Sequence, residues 1–369
     1  MGIRIGMRSW IATKGGVRVV SPAPRDVWHQ VADADRYATP FQLPEWTDAV
    51  CAERIWQDVS RLYEFASGRA VVMPLVRRNF LTHHVALEGS MPKMWGYGGV
   101  IAADAIRSFE LDSVVDDLLG SAPLRLSIRP NPLLADTWSK SAANRMTPTR
   151  RIVHLLDLSE GFDHIWEQCF SGRARRAVRK AERAGLTIEH GNSDALISDF
   201  LRLYGGWITR RARERHIPRL IPLVRAERQR KFRLVGRHLG GYCRVLLARL
   251  DGRPVASLIL LFYRNWAIYW RGYSDLELTR RTAANNLLHR IAIEEACAEG
   301  CQFYDMGESG GVASLESFKE EFGARPRPFD EYSTERIPAS RIESLGEHLI
   351  TRVDHGLAKL ANARSSNRN

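Results

Sequence analysis

Two carboxylates stand together where an apolar segment of the chain ends. Asp305 and Glu308 lie in the run Tyr304-Asp305-Met306-Gly307-Glu308. We predict a short buried strand over residues 302–306, which places both acids at or just past its end. A carboxylate held there can take a proton from a nucleophile, directly or through a water molecule. The alternatives are a turn or helix-capping role for Asp305 and a solvated loop position for Glu308.

A second group of polar side chains alternates along the predicted strand at residues 266–273. Tyr269, Arg271 and Tyr273 share one face of that strand if its side chains alternate regularly. They can then line a substrate pocket. Core packing is the alternative for both tyrosines, whereas an arginine within a strand needs an anionic partner or solvent.

Other chemistries lack their usual signatures. The sequence has no HExxH pair and no GxSxG run, which disfavours zinc catalysis and nucleophilic hydrolysis. Its cysteines are scattered, with no CxxC pair, at Cys51, Cys169, Cys243, Cys297 and Cys301. We therefore expect no metal site, no disulfide framework, and reduced thiols in a cytoplasmic protein.

The length and composition indicate a globular chain of two domains. It has 369 residues, of which 44% are hydrophobic and 26% charged. Periodicity predicts mixed α/β (α+β) structure in both halves, with a polar linker at residues 139–150. We divide the chain into a leader or edge segment at 1–39, domains at 40–150 and 151–338, and a helical, polar tail at 339–369.

Residues 244–306 carry the clearest order of elements. The turn Asp251-Gly252-Arg253-Pro254 joins two predicted strands, and a third strand follows at residues 266–273. A helix at 283–299 then returns the chain to the short strand that bears Asp305. Antiparallel strands thus feed one helix that leads to a further strand.

The positive charge of the chain is concentrated in one stretch. The formal net charge is +12, from 54 basic and 42 acidic residues, and residues 171–237 contain 18 basic and 6 acidic residues. Arg176 and Lys180 lie in this stretch, on a predicted helix whose apolar face is formed by Ala174, Ala177, Val178 and Ala181. Such a surface suits nucleic acid, nucleotide phosphates or an acidic lipid surface, and a merely solvated face is the alternative.

The N-terminus shows no apolar core of signal-peptide length. The most apolar run, Val255 to Tyr263, is much shorter than the roughly 20 residues that span a membrane. We expect no transmembrane segment, and peripheral contact with an anionic membrane through the basic stretch stays open.

The element order of residues 244–306 resembles the core of the GNAT acyltransferase fold. Several short sequence motifs are similar to motifs of the FemAB-like branch of that superfamily and occur in the same order. They are the basic helix Arg173–Gly185, Asn286-Leu287-Leu288, Tyr304-Asp305-Met306-Gly307 and Phe318-Lys319-Glu320-Glu321-Phe322-Gly323. Phe41–Trp46 and Arg129-Pro130-Asn131-Pro132 are also similar to it. The resemblance covers roughly residues 40–335 and implies two GNAT-like domains in tandem.

The resemblance implies a site for an acyl donor. In the GNAT fold, the loop and helix N-terminus after the third strand hold the pyrophosphate of acyl-coenzyme A, and helix N-termini suit phosphate. Here that loop contains Arg280, Arg281, Thr282 and Asn285, although it lacks the usual glycine-rich pattern. Lys319 matches a lysine that, in the relatives that use aminoacyl-tRNA, lies near the donor's phosphate or reacting end, where it can offset negative charge.

The resemblance implies an N-acyltransferase that moves an acyl group directly from acyl-coenzyme A to an amine, without a metal. The acceptor is expected to be a small molecule or a precursor of the cell envelope, a polysaccharide or a lipid, with Tyr269, Arg271, Tyr273, Arg176 and Lys180 as substrate-binding candidates. An aminoacyl-tRNA donor, as in peptidoglycan cross-bridge enzymes, is the alternative. A non-catalytic protein that binds nucleic acid or another polyanion on the same fold is the alternative from another class.

Overall fold

The computed structural model describes residues 10–14, 16–79, 86–214 and 229–336. Within these ranges the chain forms sixteen strands and eleven helices, which confirms the predicted mixed α/β fold. The first half contains β1 Trp10–Lys14, β2 Val17–Ser21, α1 Arg25–Ala34, α2 Pro44–Cys51, β3 Gln57–Asp58, β4 Arg61–Glu64, β5 Ala70–Met73, β6 Val76–Asn79, β7 Ala86–Ser90, β8 Ile101–Ala102, α3 Ser108–Ser121, β9 Arg125–Ile128 and α4 Ala135–Ala142.

The second half begins with a long strand and contains the elements that carry the site. They are β10 Thr147–Asp157, α5 Gly161–His164, α6 Gly172–Glu182, β11 Thr187–Gly191, α7 Asp194–Glu214, α8 Gln229–Leu239, β12 Cys243–Leu250, β13 Arg253–Tyr263, β14 Trp266–Ser274, α9 Leu276–Thr282, α10 Ala284–Ala298, β15 Phe303–Glu308, α11 Ala313–Glu320 and β16 Arg325–Glu335.

The described strands form two sheets. A five-stranded sheet in the first half has the order β1-β2-β4-β5-β8. An eleven-stranded sheet runs through both halves in the order β11-β12-β13-β14-β15-β10-β16-β9-β7-β6-β3. The strands pair antiparallel except for one parallel pair in each half, β7 with β9 and β14 with β15. The two halves therefore have similar, mostly antiparallel sheets flanked by helices.

The junction between the halves is a pair of backbone ladders around β16. This strand pairs with β10 over nine residues and with β9 over four. The expected boundary near residue 150 lies inside β10, which is one continuous strand, and residues 139–150 form the end of α4, a short turn and the start of β10. The domain division therefore stays a prediction. One hydrogen-bonded sheet holds the two halves together.

The structure describes most of the predicted N-terminal segment and none of the predicted C-terminal tail. Residues 10–34, which the sequence suggested only as a leader or edge segment, form β1 and β2 at the edge of the five-stranded sheet, followed by α1. Trp28 of α1 is fully buried, so this segment is part of the core. The tail expected at 339–369 lies outside the described residues.

The predicted hairpin around residue 251 is confirmed. Asp251 and Gly252 both have positive φ, as a two-residue turn between twisted strands requires. The strand after it, β13, is buried over nearly its whole length because it lies inside the sheet and is covered on both faces. Ile259 and Leu261 face the side covered by α7 and α8, and Leu258 and Leu260 face α10.

The basic helix α6 forms as its sequence predicts. The side chain of Ser171 accepts a hydrogen bond from the Ala174 amide at the helix N-terminus, and Gly185 adopts positive φ just after the last turn. Ala174, Val178 and Ala181 are fully buried, and α6 packs on α10. This packing places the N-terminus of α10 between the basic helix and β14.

Candidate active site

The site lies where β14 and β15 stop pairing. The two parallel strands are paired only over Trp266–Ile268 and Phe303–Asp305. Beyond these residues β14 continues to Ser274 without β15 beside it, so a gap opens in the sheet. A parallel pair that parts in this way leaves room for a ligand between its strands. The predicted catalytic residues lie around this gap.

Asp305 is enclosed at the point of divergence. It is 1% exposed, and both of its carboxylate oxygens accept short hydrogen bonds. The Tyr97 hydroxyl donates to Oδ2 at 2.6 Å, and the Gly307 amide donates to Oδ1 at 2.6 Å. Burial raises the pKa of Asp305 to about 6, although these hydrogen bonds and the charge of Lys319 oppose the shift. Groups of the protein itself therefore already bind both oxygens of this carboxylate.

Lys319 is buried beside the same carboxylate, not exposed on the surface of its helix. It is 4% exposed, and Nζ donates to the Gly307 carbonyl oxygen at 2.8 Å. Burial lowers the pKa of Lys319 to about 8, and the charges of Asp305 and Glu308 oppose the shift. Gly307 thus connects the lysine and the aspartate through its two backbone groups, and it does so with a φ of +73° that favours glycine.

Glu308 is the carboxylate that a substrate can reach. Its side chain is 27% exposed and lines the gap, and Oε1 lies 3.1 Å from Nη1 of Arg129. Arg129 also contacts Glu331, at 3.2 Å. Because Arg129 follows β9, the first half of the chain holds this acid in place.

His289 is a neutral polar group in the wall of the gap. Its Nδ1 lies 3.0 Å from the hydroxyl of Tyr304, and its ring packs edge to face on Tyr269 at 4.7 Å. Burial, assisted by the charge of Lys319, lowers the pKa of His289 to about 3. Burial also raises the pKa of Tyr269 to about 12. Both rings are therefore uncharged at neutral pH.

The prediction that Tyr269, Arg271 and Tyr273 share one strand face is wrong. Tyr269 pairs with Leu260 and Arg271 pairs with Ile259, so Trp270 is an extra residue that forms a β-bulge. The bulge reverses the alternation of side chains between the two faces of β14. Tyr269 packs in the core on the α10 side, and Tyr273 packs on Phe200 and Tyr204 of α7, on the opposite face. The three residues meet only at the gap, which all of them line.

An arginine groove opens at the far end of β14. It has a volume of about 1000 Å³ and lies between α7, the β12–β13 turn and α9. We define the arginine groove by Arg202, Arg210, Arg253, Arg280 and Arg281, all of which line it. Its acidic residues include Asp275, which pairs with Arg253 at 2.7 Å. The groove is thus suited to anions, and phosphate binding by Arg280 and Arg281 stays a prediction.

The other residues predicted to bind the donor or substrate have different positions. Asn285 lines the gap, and its amide lies 3.4 Å from Ser274 Oγ. The Thr282 hydroxyl is used within the helix, because it donates to the Leu278 carbonyl at 2.8 Å and accepts from the Ala284 amide. Lys180 lies beside the groove and donates to the carbonyl of Arg280 at 3.1 Å. Arg176 is exposed on α6 and lines neither the groove nor the gap.

Three cavities adjoin one another, because neighbouring ones share lining residues, and we call them together the cleft. The arginine groove shares Arg210 and Ser274 with a middle chamber of about 510 Å³, which contains Lys319 and His289. The middle chamber shares Tyr269, Arg271 and Glu308 with an end chamber of about 390 Å³, which contains Asp305 and Tyr97. The lining of the cleft therefore passes from the arginines of the groove to the acids of the end chamber.

Three residues of this site were missed from the sequence. Tyr97 and Arg129 lie in the first half, about two hundred residues from the acids that they hold, and no local spacing relates them. Tyr97 stands in the run Trp95-Gly96-Tyr97-Gly98-Gly99, whose glycines indicate tight backbone packing and could have drawn attention to it. His289 lies one residue after the Leu287-Leu288 pair and carried no motif of its own.

Neither a metal-binding cluster nor a membrane-spanning helix occurs among the described residues. No group of three or more His, Cys, Asp or Glu side chains in those ranges is placed to hold a metal ion. None of the helices that the structure describes is long and apolar enough to cross a lipid bilayer.

Comparison with known proteins relates this geometry to a family. The model of the Acetyltransferase (GNAT) domain family matches residues 170–320, which include the arginine groove and the residues around the gap. Comparison with curated protein sequences gives no match.

Solved structures share the fold over most of the chain. FemX superimposes with a TM-score of 0.63 and 13% identity, over 84% of this chain and 96% of FemX. A conserved protein of unknown function from Bacteroides thetaiotaomicron superimposes with a TM-score of 0.51 and 10% identity, over 84% of this chain and 97% of its own. Residues 170–320 therefore match a GNAT acetyltransferase domain, and the chain has the fold of FemX over most of its length.

Proposed function

We propose that this protein transfers an acyl group from acyl-coenzyme A to the amine of a cell-envelope, polysaccharide or lipid precursor in the cytoplasm. The observation that supports this most directly is the series of adjoining cavities that leads from the arginine groove to Lys319, Glu308 and Asp305. A donor with phosphates at one end and a thioester at the other matches the order of polar groups along these cavities.

The two ends of the donor have different requirements. The phosphates would lie in the arginine groove, near Arg280 and Arg281, where Lys180 adds positive charge at the rim. The thioester arm would pass Asn285 into the middle chamber, whose lining includes a set of aromatic and apolar side chains, among them Trp207, Tyr269 and Phe318. Apolar walls exclude water from a thioester and slow its hydrolysis.

The transfer itself needs a proton acceptor and a positive charge. The amine nitrogen forms a bond to the acyl carbon, the carbon–sulfur bond breaks, and the sulfur leaves as a thiolate that is then protonated. Glu308, the accessible acid, would take the amine proton directly or through water. Lys319 in the middle chamber would stabilise the negative charge that develops on the carbonyl oxygen, and Asp305 would hold Gly307, whose carbonyl binds Lys319.

An aminoacyl-tRNA donor is the second candidate, and the basic face of α6 favours it. Arg173, Arg176, Arg179 and Lys180 are exposed on this helix, and Lys180 connects it to the arginine groove. A long polyanion could follow that face into the groove. The same face would serve a non-catalytic polyanion-binding protein, but such a protein has no need of a buried lysine beside two acids.

One experiment separates these candidates. The purified protein is given acyl-coenzyme A and a mixture of amines, and release of coenzyme A thiol is followed by a chromogenic reagent. In parallel, it is given aminoacyl-tRNA, with and without ribonuclease. Thiol release supports our proposal. Ribonuclease-sensitive transfer supports the tRNA candidate, and the absence of both reactions with retained RNA binding supports the non-catalytic one.

Charge-reversal variants test the position of the donor. We expect Arg280→Glu with Arg281→Glu to raise the KM for acyl-coenzyme A by at least about tenfold, since removing a charge-assisted hydrogen bond to a phosphate costs on the order of 1 kcal/mol or more. Arg327→Glu is the matched control, because Arg327 is exposed on β16 and lines none of the three cavities. An equal effect of all these substitutions would show only a general charge effect.

A further inference from the structure

The end chamber of the cleft is unusually rich in hydrogen-bond donors. We call it the acceptor chamber and define it by Lys93, Tyr97, Trp270, Glu308 and Ser309, which line it together with Asp305. Its volume of about 390 Å³ suits a small molecule or the reactive end of a larger one. It lies on the side of the gap where the loop containing Tyr97, from the first half, covers the sheet.

Two buried polar groups, on residues that line this chamber, have no hydrogen-bond partner among the described residues. They are the hydroxyl of Ser309, in a residue that is 5% exposed, and the indole N–H of Trp270, in a residue that is 4% exposed. A buried polar group without a partner costs free energy, and such groups are rare in folded proteins. Both can donate a hydrogen bond, so both fit a ligand that offers oxygen atoms.

The charged side chains of the chamber point to the same ligand chemistry. Four cationic side chains line it, those of Lys93, Arg129, Arg151 and Arg271, against the carboxylates of Asp305 and Glu308. Each carboxylate oxygen of Asp305 already accepts a hydrogen bond, from Tyr97 or from Gly307, and Glu308 is paired with Arg129. Lys93 is exposed at the chamber and makes no ion pair or hydrogen bond with the described part of the chain. The chamber therefore contains a cation that a ligand can bind and few hydrogen-bond acceptors that are not already engaged.

We propose that the acceptor is an amine that also carries an oxyanion, a carboxylate or a phosphate, and that Ser309 and Lys93 bind this group. The inference rests on the proposed function, because it takes the end chamber as the place where the acceptor binds. Ser309 directly follows Glu308 in the chain. An acceptor whose amine lies beside Glu308 could therefore place its anionic group beside Ser309. The protein would then distinguish one acceptor from another by the oxyanion and not by the amine.

Binding of small probes tests the proposal without any transfer. Two pairs of amines differ mainly in the anion: glycine against glycinamide, and O-phosphoethanolamine against ethanolamine. Calorimetric titration is expected to give the anionic member of one pair a dissociation constant at least about tenfold lower than that of its neutral partner. The pair that shows the difference identifies carboxylate or phosphate as the group recognised.

Substitutions connect that preference to the two residues. Ser309→Ala and Lys93→Gln should each raise the dissociation constant of the anionic probe by about tenfold and leave the neutral probe unchanged. Ser309→Ala should also leave thermal stability equal or higher, because it removes a buried hydroxyl that has no partner. Lys140→Gln is the control, since Lys140 is exposed on α4 and lines none of the cavities of the cleft.

The results separate this inference from the proposed function. Equal affinities within both pairs, or an unchanged affinity in Ser309→Ala and Lys93→Gln, would overturn the inference. Rapid acylation of glycinamide and ethanolamine at the rates of their anionic partners would also overturn it, while leaving the transferase function intact. Anion binding that depends on Ser309, without thiol release from any acyl-coenzyme A, would support the binding site and count against the transferase.

Discussion

The hydroxyl of Tyr97 donates a 2.6 Å hydrogen bond to the carboxylate of Asp305, although 208 residues separate them. Tyr97 lies in a loop of the first half, and Asp305 lies on β15 of the second. Burial and the adjacent carboxylate raise the pKa of Tyr97 well above its usual value, so the phenol keeps its proton and stays a donor. The first half therefore contributes to the electrostatics of the active site and not only to its walls.

We expect Tyr97→Phe to shift the acid limb of the pH–rate profile upward. The hydrogen bond from Tyr97 lowers the pKa of Asp305 from the value that burial alone would impose. Its loss should raise that pKa further above about 6, by roughly one unit for a hydrogen bond to a charged group. The profile of kcat/KM against pH measures the shift. Tyr37→Phe, whose side chain does not line the cleft, should leave the profile unchanged, and an equal shift in both variants would refute the assignment.

Asp305 should also make folding stability depend on pH. Because burial raises its pKa from 3.8 to about 6, the folded protein holds the proton more tightly than the unfolded chain does. The contribution of this group is greatest below pH 4 and is lost as the pH rises through about 6. The free energy of unfolding of the wild type, minus that of Asp305→Asn, should therefore fall between pH 4 and 6 and level off above pH 7. Urea titrations at several pH values measure it, and parallel curves would contradict it.

The ion pair between Arg129 and Glu308 should couple the two halves energetically. The side chains are partly buried, and the nitrogen and oxygen atoms are 3.1 Å apart. A double-mutant cycle with Arg129→Met and Glu308→Gln should give a coupling free energy of about 1 kcal/mol, above the value for most exposed pairs. A coupling near zero would mean that Arg129 acts mainly on Glu331.

Gly98 should be intolerant of any side chain. A Cβ added there would lie 2.3 Å from the carbonyl carbon of Ser90, a backbone atom that cannot rotate away. We expect Gly98→Ala to destabilise the fold by about 3 kcal/mol or more and to displace the neighbouring Tyr97. Gly68→Ala is the control, since Gly68 has a φ of +78° but open space around it and should cost only about 1–2 kcal/mol of backbone strain. Thermal unfolding of both variants gives the comparison.

The sequence was informative wherever a pattern is local. The face of α6, its Ser171 cap, the Asp251-Gly252 hairpin and the position of Asp305 at the end of a short strand all follow from spacing within a few residues. Lys319 was identified only through its motif, because a lysine four residues before Gly323 has no local reason to be buried.

The parts that could not be predicted depend on contacts between distant segments. The bulge at Trp270 reverses the faces of Tyr269 and Tyr273, and it arises from the register between β13 and β14 rather than from a residue that requires it. Tyr97 and Arg129 reach the site only because β9 pairs with β16.

The central position of β16 has a consequence for the nascent chain. Strand β9 ends at residue 128, but the neighbour that covers its edge is made of residues 325–335. At translation rates of 5–20 residues per second, that edge waits roughly 10 to 40 s for its partner. During this interval an unpaired strand edge from a buried part of the fold is available to other chains, which is the usual route to intermolecular pairing. Slowly synthesised or truncated forms of the protein should therefore depend on chaperones that shield the edge of β9 until β16 emerges.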